Sequence, residues 1–255
     1  MRQLSDEEAR TFLDSTTFLW HQRFALSTNV YTPGANDIGW LLSQSTLPVS
    51  MIGKSVLDIG TTNGAVAFEA ERRGASRIVA VDILDREHFG FGALSELLES
   101  NVEFVQASVY ELADVLQETF DIVVFWGVLY HLRHPLLGLD TVRRLARGHV
   151  TLETAISDWL DGQPGPLARF HRLDDLGADN TNWWSPTLEA LHEWVGSAGF
   201  RVTATVTSPA GAPGQRALLG LEVEGVQPEY LRISYERPLL LQTVDLSRPG
   251  RPPER

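Results

Sequence analysis

Between Lys54 and Glu153 short apolar runs alternate with longer amphipathic stretches. Ser55–Ile59, Arg77–Asp82, Asn101–Gln106, Phe120–Trp126 and Gly148–Glu153 have the length and β-branched or aromatic content of strands. The stretches between them, Ala65–Arg73, Arg86–Leu98, Tyr110–Leu116 and Pro135–Ala146, read as helices, the last with proline in its first turn. Such alternation predicts an α/β fold with a parallel sheet covered by helices on both faces. Further on, Ser185-Pro186 opens a helix to about Ala198. Phe200–Thr207 and Arg216–Glu224 then read as two strands around a Pro/Gly turn, an antiparallel hairpin at the sheet edge.

The flanks follow other patterns. Residues 5–18 form an amphipathic helix with Ser5 as N-cap and Glu8 completing a capping box, and a short helix is expected at about Ile38–Ser45. Residues 1–50 are therefore read as a helical cap and 51–225 as the main domain. Residues 155–186, broken by Gly162, Pro164, Gly165, Pro166 and Gly177 and carrying Trp159, Trp183 and Trp184, read as a lid-like insertion over the carboxyl ends of the strands. Residues 226–255 form a C-terminal extension ending in a Pro/Arg-rich stretch expected to lack order.

Composition narrows the function. The 255 residues are 43% apolar, enough for a core of this size, and carry a formal charge of −12. Lys54 is the sole lysine beside 20 arginines. A phosphate backbone or anionic membrane rewards dense positive charge, so neither nucleic acid nor a membrane is expected as a partner. There is no cysteine, which excludes disulfides, thiolate metal sites and a thiol nucleophile. The histidines show no paired spacing, so no metal is expected. The first residues lack an apolar leader segment, and the longest apolar run, Ile122–Tyr130, is too short to span a bilayer. A soluble cytoplasmic protein is expected.

The strongest chemical signal is Val56-Leu57-Asp58-Ile59-Gly60-Thr61-Thr62-Asn63-Gly64, followed by Val79-Ala80-Val81-Asp82. Glycines after a strand let backbone approach a ligand, and the next helix offers free N–H groups. An acid ending the second strand can accept both hydroxyls of a ribose; Asp82 follows Gly60 by 22 residues. Thr62 stands where a dinucleotide loop has its second glycine, and no phosphate-binding Gly-Lys-Ser/Thr loop occurs. The ligand should carry ribose and adenine without pyrophosphate.

This pattern resembles the class I methyltransferases that use S-adenosylmethionine, across roughly residues 50–225. The resemblance implies a Rossmann-like, seven-stranded methyltransferase sheet. By matching position it places Gly60, Thr61 and Gly64 at the methionine part of the cofactor, Asp82 and Ile83 at ribose and adenine, and Ser108 and Val109 at the adenine edge, and it counts Asp58 and Asn63 among the cofactor-binding residues. A narrower likeness lies in Trp126-Gly127-Val128-Leu129-Tyr130-His131-Leu132-Arg133-His134-Pro135-Leu136. With Thr32-Pro33-Gly34, Asn182-x-Trp184-x-Pro186 and Arg216-Ala217-Leu218-Leu219, it is similar to the subfamily containing the tRNA wobble-uridine carboxymethyltransferases. Those enzymes use a carboxylated S-adenosylmethionine held by a lysine, a tyrosine and an arginine. Tyr130 and Arg216 match; the lysine has no counterpart, which favours the ordinary cofactor here.

The remaining candidates follow from topology. Trp126 and Tyr130 close the fourth strand of the alternation beside the cofactor. His131 and Glu153, at the ends of the fourth and fifth strands, are the catalytic candidates, as general base or substrate contact. His21 in the cap, Trp184 in the insertion and Arg216 are the substrate-binding candidates. His171 is read as part of a solvated loop, and Arg143, Arg144 and Arg147 as one solvated helix face. The expected activity is methyl transfer to a small-molecule acceptor, with tRNA wobble-uridine modification as the alternative.

Overall fold

The computed structural model of the chain describes residues 1–157, 163, 165–209 and 214–224. The extension 226–255, Trp159 with Gly162 and Pro164 of the insertion, and residues 210–213 of the hairpin turn lie outside the described residues. Residues 1–224 form one compact unit.

In chain order, the cap contains helix α1 (Asp6–Ser15), strands β1 (Gln22–Arg23) and β2 (Asn36–Asp37), and helix α2 (Ile38–Gln44). The capping box forms as expected: Ser5 Oγ accepts the Glu8 backbone N–H, and the Glu8 carboxylate accepts the Ser5 N–H. Asp37 caps α2 through the Trp40 N–H. The alternating region supplies β3 (Ser55–Ile59), α3 (Ala65–Arg72), β4 (Arg77–Asp82), α4 (Phe91–Leu97), β5 (Glu103–Gln106), α5 (Leu112–Val115), β6 (Phe120–Trp126), α6 (Pro135–Leu145) and β7 (Ala146–Ala155). Strands β8 (Ala168–Phe170) and β9 (Trp184–Pro186) follow, then α7 (Leu188–Ser197), β10 (Phe200–Thr207) and β11 (Arg216–Val223). Single 3₁₀ turns occupy Val109–Glu111 and Leu129–His131.

Seven strands form the main sheet in the order β10-β11-β7-β6-β3-β4-β5. Strands β3 to β7 are mutually parallel, and β11 runs antiparallel to β7 and to β10. This is the Rossmann-like α/β sheet with an edge hairpin. All five residues of β3 are buried, because helices cover both faces and leave no polar side. One core layer joins Leu57, Val123, Leu139 and Leu152. The other joins Val56, Val66, Phe68 and Val124 with Leu4, Ala9 and Leu26 of the cap, so the cap is part of the hydrophobic core.

Several boundaries move for local reasons. The helix expected at Arg86–Leu98 begins at Phe91, because Asp85 Oδ1 accepts the N–H groups of Glu87 and His88 in a turn, and Gly90 then adopts φ +69°. Ser185 and Pro186 belong to β9, and Thr187 is the cap of the following helix. Helix α6 stops at Leu145, so Arg147 lies on β7, where it pairs with Asp121; the three arginines read as one helix face divide between two elements. No helix among the described residues is long and apolar enough to cross a membrane.

The described part of the insertion is pinned rather than loose. Ser157 and Ser185 hydroxyls bond at 2.5 Å, Ser185 Oγ meets His171 Nε2 at 2.6 Å, and His171 Nδ1 meets Asp175 at 3.1 Å. His171 is 2% exposed, so its expected solvated setting is corrected: the β8–β9 pairing folds it inward. The nearby backbone bond from Trp183 N–H to the Tyr130 carbonyl ties this segment to the end of β6.

Candidate active site

The sheet order reverses between β3 and β6: chain growth runs outward through β4 and β5, then returns to β6 and β7 on the other side. Loops leaving the carboxyl ends of β3 and β6 therefore diverge and open a crevice. A cavity of about 1260 Å³ fills it, bounded by the cap, the insertion and the β10–β11 hairpin.

At its β3–β4 side, Gly60 takes φ +81°, and a Cβ there would stand 2.3 Å from Val128 Cγ2. Thr62 also takes a left-handed conformation at φ 48°, which turns its N–H onto Asp82 Oδ2 at 3.0 Å. Leu84 N–H donates to Asp82 Oδ1 at 3.1 Å. Two backbone donors thus orient the Asp82 carboxylate and leave acceptor capacity for a diol. Thr62 Oγ1 is buried at the cavity wall with no partner. Asp58 also borders the cavity; burial pushes its carboxyl up to about 7, against the Thr61 hydroxyl and the Ala67 N–H that favour its ionised form. Ile83, Ser108 and Val109 complete this side. The donor set fits S-adenosylmethionine: a carboxylate for ribose, an apolar edge for adenine, and an acid that a neighbouring cation would draw toward ionisation.

Three expected loop contacts have other work. Thr61 is fully buried and serves Asp58. Gly64 has no room for a Cβ beside Phe68 and Phe91, so it is required for packing. Asn63 is corrected from ligand contact to scaffold: its Oδ1 accepts the N–H groups of His21 and Gln22, and its Nδ2 donates to Leu19 and Phe89 carbonyls. The helix N-terminus is likewise not entirely free, since Gln22 Oε1 accepts the Ala65 N–H. Thr32 and Gly34 hold that turn, Thr32 by donating to the Gln22 carbonyl and Gly34 by lying where a Cβ would meet Gln22 backbone at 2.3 Å.

At the β6–β7 side, Trp126 lines the cavity and donates its Nε1–H to Thr151. Arg216 clamps Glu153 through Nε and Nη2, and its guanidinium carbon lies 4.4 Å from the Tyr130 ring centroid. Burial alone would pull the Arg216 pKa down, but the Glu153 carboxylate holds it above the ordinary arginine value. Glu153 also accepts the Gly127 N–H at 3.0 Å. Both carboxylate oxygens are engaged, so Glu153 is an anchor for Arg216 and not an available base. Burial raises the Tyr130 phenol above its ordinary value.

His21, His131, Asp179, Thr181 and Trp183 also line the cavity. Trp184 does not; its Nε1–H reaches the Arg133 carbonyl and its ring packs on Phe170. Its neighbour Trp183 lines the cavity instead. Asp179 and Thr181 were not marked by any sequence motif, because a loop residue's approach to β6 depends on how the insertion folds.

An open, mostly parallel sheet with a cavity at its switch point and an acid presented to that cavity from the end of β4 is the architecture of the Rossmann-like class. The methyltransferase domain family matches residues 39–205, and the chain belongs to this family of S-adenosylmethionine-dependent methyltransferases. Among curated relatives, the tRNA U34 carboxymethyltransferase of Dichelobacter nodosus is 33% identical over 158 residues, covering 60% of this chain and 47% of the relative. That of Campylobacter hominis is 31% identical over 151 residues, covering 58% and 51%. The chain spans about half the length of the curated relatives it matches. Similar solved structures include the N-terminal domain of EvdMO1 with SAH bound, with TM-score 0.58, 18% identity and coverage of 86% of this chain and 96% of that one. The Burkholderia thailandensis 1,6-didemethyltoxoflavin-N1-methyltransferase aligns with TM-score 0.53, 20% identity and coverage of 68% and 72%.

Proposed function

We propose that the chain transfers the methyl group of S-adenosylmethionine to a small aromatic or heteroaromatic acceptor enclosed by cap, insertion and sheet. The observation that carries this reading is the cavity. Its volume of about 1260 Å³ exceeds the roughly 300–1,000 Å³ that enclose one drug-sized ligand, leaving space for an acceptor beside the cofactor. Trp40, Tyr130 and Trp183 give the wall flat apolar surface.

When bound, the cofactor supplies an electrophilic methyl group on a sulfonium. Asp82 and Ile83, with Ser108 and Val109, would hold its adenosine end. Because the leaving thioether is neutral, the protein's work is alignment and exclusion of water. The cap and the pinned insertion provide both, with Trp183 tied by its backbone to Tyr130.

A second reading, carboxymethyl transfer to tRNA, is favoured by the curated relatives and by the matching Tyr130 and Arg216. Against it, Arg216 is already neutralised by Glu153. Lys54 is exposed immediately before β3 and is not among the cavity-lining residues. A cofactor carboxylate placed against this neutral pair would lack a balancing cation.

The test is incubation with methyl-labelled cofactor and a panel of phenols, enols and nitrogen heterocycles, alongside bulk tRNA, read by mass spectrometry. Label in a panel member and none in tRNA is expected. Carboxymethyl incorporation into tRNA, or at least tenfold tighter binding of the carboxylated cofactor in competition, would establish the second reading instead.

A further inference from the structure

Two histidines line the cavity, and their hydrogen bonds distinguish them. His21 Nε2 is engaged by the Asn36 side-chain amide at 2.7 Å. Among the described residues the His131 ring is hydrogen-bonded only through Nδ1, which lies 3.3 Å from the Thr181 carbonyl and 2.9 Å from Thr181 Oγ1. A carbonyl oxygen can only accept. The Thr181 hydroxyl directs its own hydrogen to Asp179 Oδ1 at 2.7 Å, so it too presents a lone pair to the imidazole. Nδ1 must therefore carry the hydrogen, and Nε2 carries the lone pair.

From this arrangement we infer that Asp179 and Thr181 are positioning residues that hold His131 as its Nδ1–H tautomer, leaving Nε2 as the base for an acceptor bearing an acidic O–H or ring N–H. The inference rests on the methyltransferase reading above and deepens it by naming the acceptor class. In the step, the acceptor's O–H or N–H bond breaks and its proton goes to Nε2. The freed electron pair forms the bond to the methyl carbon, and the pair of the methyl–sulfur bond stays on sulfur. The sulfonium charge is lost and an imidazolium charge appears, facing Asp179 through Thr181. Solvent then takes the proton from Nε2.

The surroundings agree. Burial lowers the His131 pKa and outweighs the Thr181 carbonyl bond and Asp179, which raise it, while Arg216 of β11 and His21 of the cap lower it further. The imidazole is then neutral near pH 7, as a base must be. Partial burial works against the Asp179 carboxylate, but the Thr181 hydroxyl and N–H outweigh it and keep its pKa below the ordinary value. Tyr130 packs on the ring at a centroid distance of 4.2 Å and limits its rotation. Glu153, the other acid at this end, is occupied by Arg216.

The experiment is nitrogen NMR of the full chain with labelled histidine, the His131 signals being assigned by their loss in His131→Gln. A protonated Nδ1 and an unprotonated Nε2 are expected at neutral pH. Thr181→Val should shift the population toward the Nε2–H tautomer, and Thr181→Ser, which keeps the hydroxyl, should restore the original form. Asp179→Asn should move it in the direction of Thr181→Val. An Nε2–H tautomer in the unaltered protein, or a ratio indifferent to Thr181→Val, overturns the inference. Kinetics on a phenol that stays protonated at neutral pH, such as 4-methylphenol, supply the second readout: His131→Gln should lower kcat by about 10²–10⁴ and abolish the acid limb of the pH profile, with KM for the cofactor unchanged. If no member of the acceptor panel is methylated at all, the proposed acceptor class fails, while the tautomer measurement still decides the role of Thr181 and Asp179.

Discussion

Asp58 is a carboxyl group buried to 3% exposure beneath the glycine loop, and its position against the cavity has a thermodynamic consequence. Its folded pKa, about 7, lies above the ordinary 3.8. For an acid shifted upward, the folded state binds the proton more tightly, so stability is full below pH 4 and falls as pH rises through 7. Three pKa units correspond to on the order of 4 kcal/mol as an upper bound. Asp58→Asn cannot ionise and should escape this loss. Its denaturation midpoint should gain on that of the unaltered ligand-free protein between pH 4 and pH 8, and a constant difference across that window would contradict the assignment. Asp82 differs in kind, because its carboxylate is presented to the cavity by two backbone donors. Asp82→Ala should remove one or two hydrogen bonds to the ribose, each worth about 1.5–3 kcal/mol. Calorimetric affinity for S-adenosylhomocysteine should fall at least tenfold, and unchanged affinity would remove Asp82 from the site.

The glycine loop and the cap work as a unit at the level of elements. Asn63 satisfies the N–H groups of His21 and Gln22 and the Leu19 carbonyl in the cap, together with the Phe89 carbonyl before α4, and Gln22 in turn caps α3. Cutting Asn63 to alanine would leave four backbone groups without their partner, each unsatisfied group costing about 1–3 kcal/mol where water cannot replace it. We expect a loss of about 3 kcal/mol or more in urea denaturation, with faster hydrogen exchange at His21 and Gln22. A loss under about 1 kcal/mol with unaltered exchange would show that the cap docks without this residue.

Across the whole molecule, the charge distribution bears on the acceptor. The net charge of −12 would not by itself exclude a local arginine patch. The described arginines, however, are mostly matched with acids: Arg23 with Asp37, Arg73 with Glu69, Arg77 with Glu103 and Glu118, Arg147 with Asp121, and Arg201 with Glu222. Arg133, which lines the cavity, lies over the rings of Phe170 and Trp183. A phosphate backbone would have to compete with these carboxylates. Bulk tRNA should therefore bind more weakly at physiological salt than the roughly 10⁻⁴–10⁻⁶ M of ordinary non-specific binders. Micromolar binding with a steep salt slope would count against the small-molecule reading.

The alternation of elements, the glycine loop and the acid that ends β4 were legible in the chain, because each is written in local spacing. Strand runs such as Val56–Ile59 show their burial directly, and Gly60 and Asp82 are placed by the elements they terminate. The tertiary structure alone decided the partners of polar groups. Glu153 and Arg216 are 63 residues apart and meet because β11 pairs antiparallel with β7 in a register that sets Leu218 opposite Glu153. His171 reads as a loop residue until β8 pairs with β9 and carries it inside. Trp183 and Trp184 are adjacent, yet only Trp183 lines the cavity, because successive residues of an extended chain face opposite sides and the β8–β9 pairing chooses between them. The same holds for Thr181 and His131, 50 residues apart, whose hydrogen bond exists only once the insertion has returned to the end of β6. Local periodicity reports which face is buried; it carries no record of which distant group will satisfy a buried donor or acceptor.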